Sequence, residues 1–102
     1  IKRTDAERTT LADALSKYEQ EVTPNKRGAA QEVHRIKVWK GNKLAKKSLA
    51  SLRRVDFAMW RDNRLKEVAP ATVRLELAVI SNLFNVARKE WGIECLHNPI
   101  AI

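Results

Sequence analysis

The sequence predicts an all-α protein, a small four-helix bundle. Three observations lead there. Apolar residues recur at steps of three and four along four separate stretches, and no stretch keeps up a period-two alternation. Only three Gly and three Pro occur in 102 residues, so few turns are coded and a few long helices suit the chain better than many short strands. Hydrophobic residues make up 44% of the chain, enough for one modest core in a single domain.

Residues 1–8 are polar and unpatterned and are expected to form a flexible N-terminal segment, with the helical domain spanning 9–92. Thr10-Leu11-Ala12-Asp13 reads as a helix start, with the Thr10 hydroxyl over the first turn and Asp13 three residues on. Leu11, Leu15, Tyr18 and Val22 follow at helical spacing, and Pro24 ends this first helix. A second helix is expected from Lys26 to about Lys40, stopped by Gly41 and turned inward on Ala29, Val33, Ile36 and Trp39. Asn42 to Arg54 reads as an ordered loop or short helical turn, pinned by Leu44, Leu49 and Leu52. The third helix is expected from Arg54 to about Glu67, with Asp56 at its positive end.

The fourth and longest helix runs from Pro70 to Trp91. Pro70 suits a first turn, and Gly92 offers the stop. Val73, Leu77, Ile80, Phe84, Ala87 and Trp91 form its apolar stripe, flanked by Arg74, Ser81 and Arg88. Residues 93–102 read as an extended exit toward a missing catalytic domain, ended by Pro99. The lack of an initiating Met fits a piece of a longer chain.

The net charge of +8 is concentrated. Residues 23–69 carry thirteen basic and four acidic side chains, whereas residues 1–22 are net −1 and residues 70–102 are neutral. From Val33 to Val55 no acidic residue occurs. A solvated helix face explains two or three clustered cations, but a block of this size points to an anionic partner, with nucleic acid ahead of membrane or acidic protein. No apolar run is long enough to cross a membrane, and the first ten residues have no apolar core, so they are not a secretory signal.

Catalytic and metal chemistry find little support. His34, His97 and Cys95 have no ligand spacing that would hold a metal, and Cys95 is read as a small buried apolar group. Glu19, Glu21, Glu32, Glu67, Glu76 and Glu90 read as scattered on solvent faces. No Gly-rich phosphate loop occurs, so neither a cofactor nor an active site is expected. Trp60 and Trp91 are expected in the core, and Trp39 either there or over a loop.

One resemblance is specific. The capped helix Thr10-Leu-Ala-Asp-Ala-Leu-Ser-Lys-Tyr18, a basic helix, and Leu49-Ala-Ser-Leu-Arg-Arg-Val-Asp-Phe57 follow one another. Then come Pro70-Ala-Thr-Val73 through Phe84-Asn-Val-Ala87, Gly92 and Asn98-Pro99. In this order and spacing, residues 9–99 resemble the core-binding, SAM-like domain of phage integrases of the tyrosine recombinase family. Arg53 and Ala69 stand where that family often has Ser or Thr caps. The resemblance implies a non-catalytic DNA-binding module that closes one side of a clamp on double-stranded DNA for integration or recombination. The second and fourth helices would face the major groove. The catalytic residues would lie in a later domain, so none maps onto this chain.

The DNA surface expected from this reading is Lys26, Arg27, Gln31, His34, Arg35, Thr72, Arg74, Ser81 and Arg88, with Lys46, Lys47, Arg53 and Arg54 adding phosphate contacts. Further partners would be other integrase protomers on DNA, reached through the full-length chain, the isolated piece being a monomer. The expected location is the cytoplasm of a bacterial host. The competing reading is a helical protein-interaction domain whose basic block docks an acidic partner.

Overall fold

A computed structural model describes residues 3–93 and 98–100. Among these residues are five α-helices: α1 (Arg3–Arg8), α2 (Leu11–Glu21), α3 (Ala29–Lys40), α4 (Arg54–Arg64) and α5 (Pro70–Lys89). The last four are the helices the periodicity predicts, and the architecture is all-α.

The first helix departs from expectation, since residues 1–8 were expected to be loose. What orders Arg3–Arg8 lies some forty residues away. Leu11 N–H donates to Lys47 O at 2.9 Å, Leu49 N–H donates to Thr9 O at 2.9 Å, and Thr10 and Ser48 form an isolated antiparallel bridge. This pairing sets α1 against the short 3-10 turn Leu49–Ser51 and buries Ala6. Local sequence carries no sign of it because the partner is nonlocal.

Helix α2 begins as expected, with Asp13 N–H donating to Thr10 Oγ1 at 3.1 Å. It buries Leu11, Ala14, Leu15 and Tyr18. Pro24 sits in a 3-10 turn, Thr23–Asn25. Helix α3 then starts at Ala29, three residues later than the periodicity suggests. The reason is Lys26, whose backbone is extended and whose side chain turns inward. Its Nζ donates to Tyr18 Oη at 2.7 Å and to Glu32 Oε2 at 3.0 Å, while Thr23 Oγ1 donates to Glu32 Oε1 at 2.7 Å. The linker after α3 contains two 3-10 turns, Lys43–Lys46 and Leu49–Ser51, held down by the buried Leu44, Leu49 and Leu52. The leucines anchor this segment as the sequence suggests.

The centre of the core is Trp39, which is fully buried. Its indole stacks on Trp60 at 4.1 Å between ring centroids and meets Phe57 edge-on at 5.7 Å. Its N–H donates to Glu76 O at 2.8 Å, tying α3 to α5. The expectation that Glu32 and Glu76 face solvent is overturned, because both are buried. Glu76 is held by a bidentate pair, with Arg64 Nε to Oε1 and Nη2 to Oε2 both at 2.9 Å. Spacing alone could not separate these two carboxylates from the solvated ones, since each needs a cation delivered from outside its own helix.

Helix α4 ends at Arg64, three residues short of the predicted Glu67, as the chain turns toward Pro70. Its missing Ser or Thr cap is partly replaced: Asp56 Oδ2 accepts from Arg53 N–H at 2.9 Å. Gly92, at φ +70°, turns the chain away after α5 in a conformation costly to residues with a Cβ.

Two consequences follow for stability. Arg64→Ala leaves the Glu76 carboxylate buried without its cation and is expected to cost about 3–5 kcal/mol, whereas the double change Arg64→Met/Glu76→Leu recovers most of the loss. Urea midpoints of wild type and the two variants check this. The second consequence concerns Lys26. Burial disfavours its charge, but the hydrogen bonds to Tyr18 and Glu32 outweigh that, and its pKa stands above the ordinary 10.5. Because the folded value is the raised one, its contribution is complete below 10.5 and fades as pH climbs through the folded value. The stability gap between wild type and Lys26→Met, followed by denaturation, is expected to be constant at neutral pH and to narrow in strong alkali.

Candidate nucleic-acid interface

Helices α4 and α5 run antiparallel. Arg64 at the end of α4 meets Glu76 in the first half of α5, while Arg54 at the start of α4 shares a cleft with Arg88 near the end of α5. That cleft is open, has a volume of about 670 Å³, and is lined by Leu52, Arg53, Arg54, Ser81, Asn85, Arg88, Asn98 and Pro99. Arg53, Arg54 and Arg88 are exposed and form no salt bridge among the described residues. Three arginines lining one recess, together with amide- and hydroxyl-bearing residues, are chemically suited to an anion with several oxygens, a phosphate above all.

Helix geometry extends the site along α5. Arg74, Ser81 and Arg88 are spaced by seven residues, which returns the side chain to nearly the same face, so all three lie on one stripe with about 10 Å between successive members. Arg74 is exposed at the far end of that stripe. Thr72 does not join it. It is half-buried, and two residues from Arg74 it points to another side of the helix. Ser81 lies on the stripe but is already engaged, since Asn98 Nδ2 donates to its Oγ at 3.0 Å.

The expected second-helix surface is only partly assembled. Arg27, Gln31 and His34 are exposed; the three-residue step from Gln31 to His34 puts these two on one side of α3, while Arg27 lies in the turn before the helix. Arg35 is half-buried at the edge. No described cleft joins these residues to the arginines of α4 and α5. Lys26 is engaged rather than free: its ammonium is held by Tyr18 and Glu32, with the side chain still 34% exposed. Lys46 is exposed on its 3-10 turn, and Lys47 is exposed but paired with Asp56 at 3.4 Å.

The basic block is therefore smaller in effect than in composition. Lys26, Lys40, Lys47, Arg61 and Arg64 each have a carboxylate partner. The arginines at the cleft keep their charge unpaired among the described residues, and Arg88 comes from a part of the sequence that is neutral overall.

Two polar cleft residues, beside the apolar Leu52 and Pro99, lie outside the expected site. Asn85 and Asn98 were visible in the sequence only as a helix flank and a terminal motif. The structure has Asn98 reaching back seventeen residues to α5: Nδ2 donates to Ser81 O at 3.2 Å, Ser81 Oγ at 3.0 Å and Asn85 Oδ1 at 3.3 Å. His97 and Cys95 lie outside the described residues. Among those described, no group of three or more His, Cys, Asp or Glu could hold a metal, and no helix is long and apolar enough to cross a membrane.

Comparison with known proteins gives relatives of one kind. The chain is 42% identical over 101 residues to the shufflon-specific DNA recombinase of Escherichia coli, a match covering 91% of this chain and 26% of that protein. Two Haemophilus influenzae proteins provisionally named integrase/recombinases match at 40% identity over 91 residues and 31% over 84. These matches cover 89% and 82% of this chain, and 24% and 28% of those proteins. The chain thus spans about a quarter of the length of these relatives. No family model matches it. No solved structure matches it. With nearly its whole length aligned to recombinases, the chain belongs to the integrase/recombinase family and corresponds to a segment of its members.

Proposed function

We propose that this chain is the core-binding segment of a site-specific recombinase of the tyrosine class, and that it grips duplex DNA at the recombination site. The observation that carries the reading is the cleft between α4 and α5, where Arg53, Arg54 and Arg88 stand together without carboxylate partners among the described residues. Arginines so placed attract phosphates, and displacing condensed counterions from DNA supplies sequence-independent, salt-sensitive affinity. Arg74 continues the contact along the α5 stripe. Gln31 and His34 on α3, and Arg27 in the turn before it, are exposed and able to meet phosphates or base edges.

On this reading the chain positions DNA and carries out no chemistry. Strand cutting and rejoining belong to a tyrosine in another part of the longer protein. Other protomers join on DNA through that longer protein, in the cytoplasm of a bacterial host.

The competing reading, a domain that docks an acidic protein, has one observation behind it. Val55 and Met59, one turn apart on α4, are 56% and 61% exposed. Two side chains make a small patch compared with the areas that mark interaction surfaces.

Titration with a duplex of about 20 base pairs at several salt concentrations tests the proposal. Arg53→Ala/Arg88→Ala is expected to weaken binding at least tenfold at low salt and to reduce the salt slope by about one to two. Lys40→Ala, whose cation is paired with Glu19, is expected to leave the slope unchanged. Equal affinity and slope for the cleft variant and wild type would refute the assignment. Binding to polyglutamate in preference to duplex would favour the competing reading.

A further inference from the structure

The cleft has a third wall that neither helix provides. Residues 98–100 return across α5 and close its side. Asn98 is attached to Ser81 and Asn85 through its amide N–H groups, and its Oδ1 accepts from Ile100 N–H at 2.9 Å. Pro99 lines both the arginine cleft and an adjoining recess of about 280 Å³, where Ile100 lies beside Arg54, Phe57, Ala58, Arg61 and Leu77. Ile100 also packs against the core. One short segment is thus held by a polar clamp on α5 and an apolar seat between α4 and α5, at the place where Arg53, Arg54 and Arg88 converge.

We propose that phosphate binding in the cleft and docking of residues 98–100 are linked, so that a DNA phosphate held by Arg53, Arg54 and Arg88 fastens the returning segment and the docked segment strengthens the grip. This rests on the reading of the cleft as a DNA contact and goes beyond it by making Asn98 a positioning residue for that contact. The physical basis is shared groups. Asn85 and Ser81 face the cleft and also accept the Asn98 amide. A phosphate that orders these side chains and the three guanidiniums favours the conformation in which Asn98 is bound to them. Linkage is reciprocal: whatever factor the phosphate adds to docking, docking adds to phosphate affinity. Undocking lowers apparent affinity in proportion to the binding-competent fraction lost.

Hydrogen exchange supplies a reporter: the Ile100 amide is donated to Asn98 Oδ1 in a local two-residue turn, and docking of the same Asn98 amide group on Ser81 and Asn85 holds that acceptor in place. The experiment follows Ile100 exchange in the whole chain with and without a saturating duplex, beside duplex affinities of wild type and Asn98→Ala. Saturation is expected to slow Ile100 exchange, and Asn98→Ala is expected to bind duplex about fivefold more weakly. Addition of duplex to Arg53→Ala/Arg88→Ala, at a concentration that saturates wild type, is expected to leave Ile100 exchange nearly unchanged. If wild type binds duplex while Ile100 exchange stays as in the free protein, the linkage is wrong and the DNA reading stands. Equal affinity of Asn98→Ala and wild type overturns it likewise. If wild type binds no duplex, the proposed function fails and the linkage with it.

Discussion

The Glu76 carboxylate lies almost wholly out of water, and Glu76 is the residue at which three helices are joined. Arg64 brings the end of α4 to it through two hydrogen bonds, and the Trp39 indole brings α3 to the backbone carbonyl of the same residue. A buried carboxylate without its cation is strongly destabilising, so this junction permits one relative placement of α4 and α5 and penalises others. Stacking of Trp39 on Trp60 fixes the third member. Polar groups in the core here serve geometry as much as stability.

That geometry creates the cleft. Once Arg64 is joined to Glu76 and the helices run antiparallel, the start of α4 falls beside the last turns of α5. Arg53 and Arg54, adjacent in sequence, then line one cleft with Arg88, more than thirty residues later. The charges are not neutralised by the carboxylates of the same region because those are engaged elsewhere. Asp56 turns back to the Arg53 N–H and to Lys47, and Glu67 pairs with Arg64. The division of labour between inward ion pairs and outward arginines leaves a local positive field at the cleft.

The resemblance to a segment of the integrase/recombinase proteins and the cleft support each other from independent sides. One rests on the order of residues along nearly the whole chain. The other rests on positions that the fold brings together. The agreement is uneven across the expected surface. The α5 stripe and the start of α4 share a cleft that the α3 residues do not line, and the half-buried Lys26 ammonium is held by Tyr18 and Glu32. Arg27, Gln31 and His34 are exposed but line no part of that cleft.

Sequence alone determined the four principal helices, because period, proline and glycine act within a few residues: Leu11 to Tyr18 inward, Thr10 over a helix start, Pro70 opening the longest helix, Gly92 after its end. It also determined that positive charge is in excess in the middle of the chain, which is a matter of counting. Only the tertiary structure decided which charges are available. Lys26 and Arg54 look alike in sequence, yet one lies against Tyr18 and Glu32 and the other lines an open cleft. Tertiary contact likewise decided the order of residues 3–8 and the place of Asn98, whose partners lie tens of residues away or seventeen back along the chain. Local preference is a short-range quantity. Pairing of charges and closure of a cleft depend on distances between helices, and those distances follow from the packing around Trp39 and Glu76.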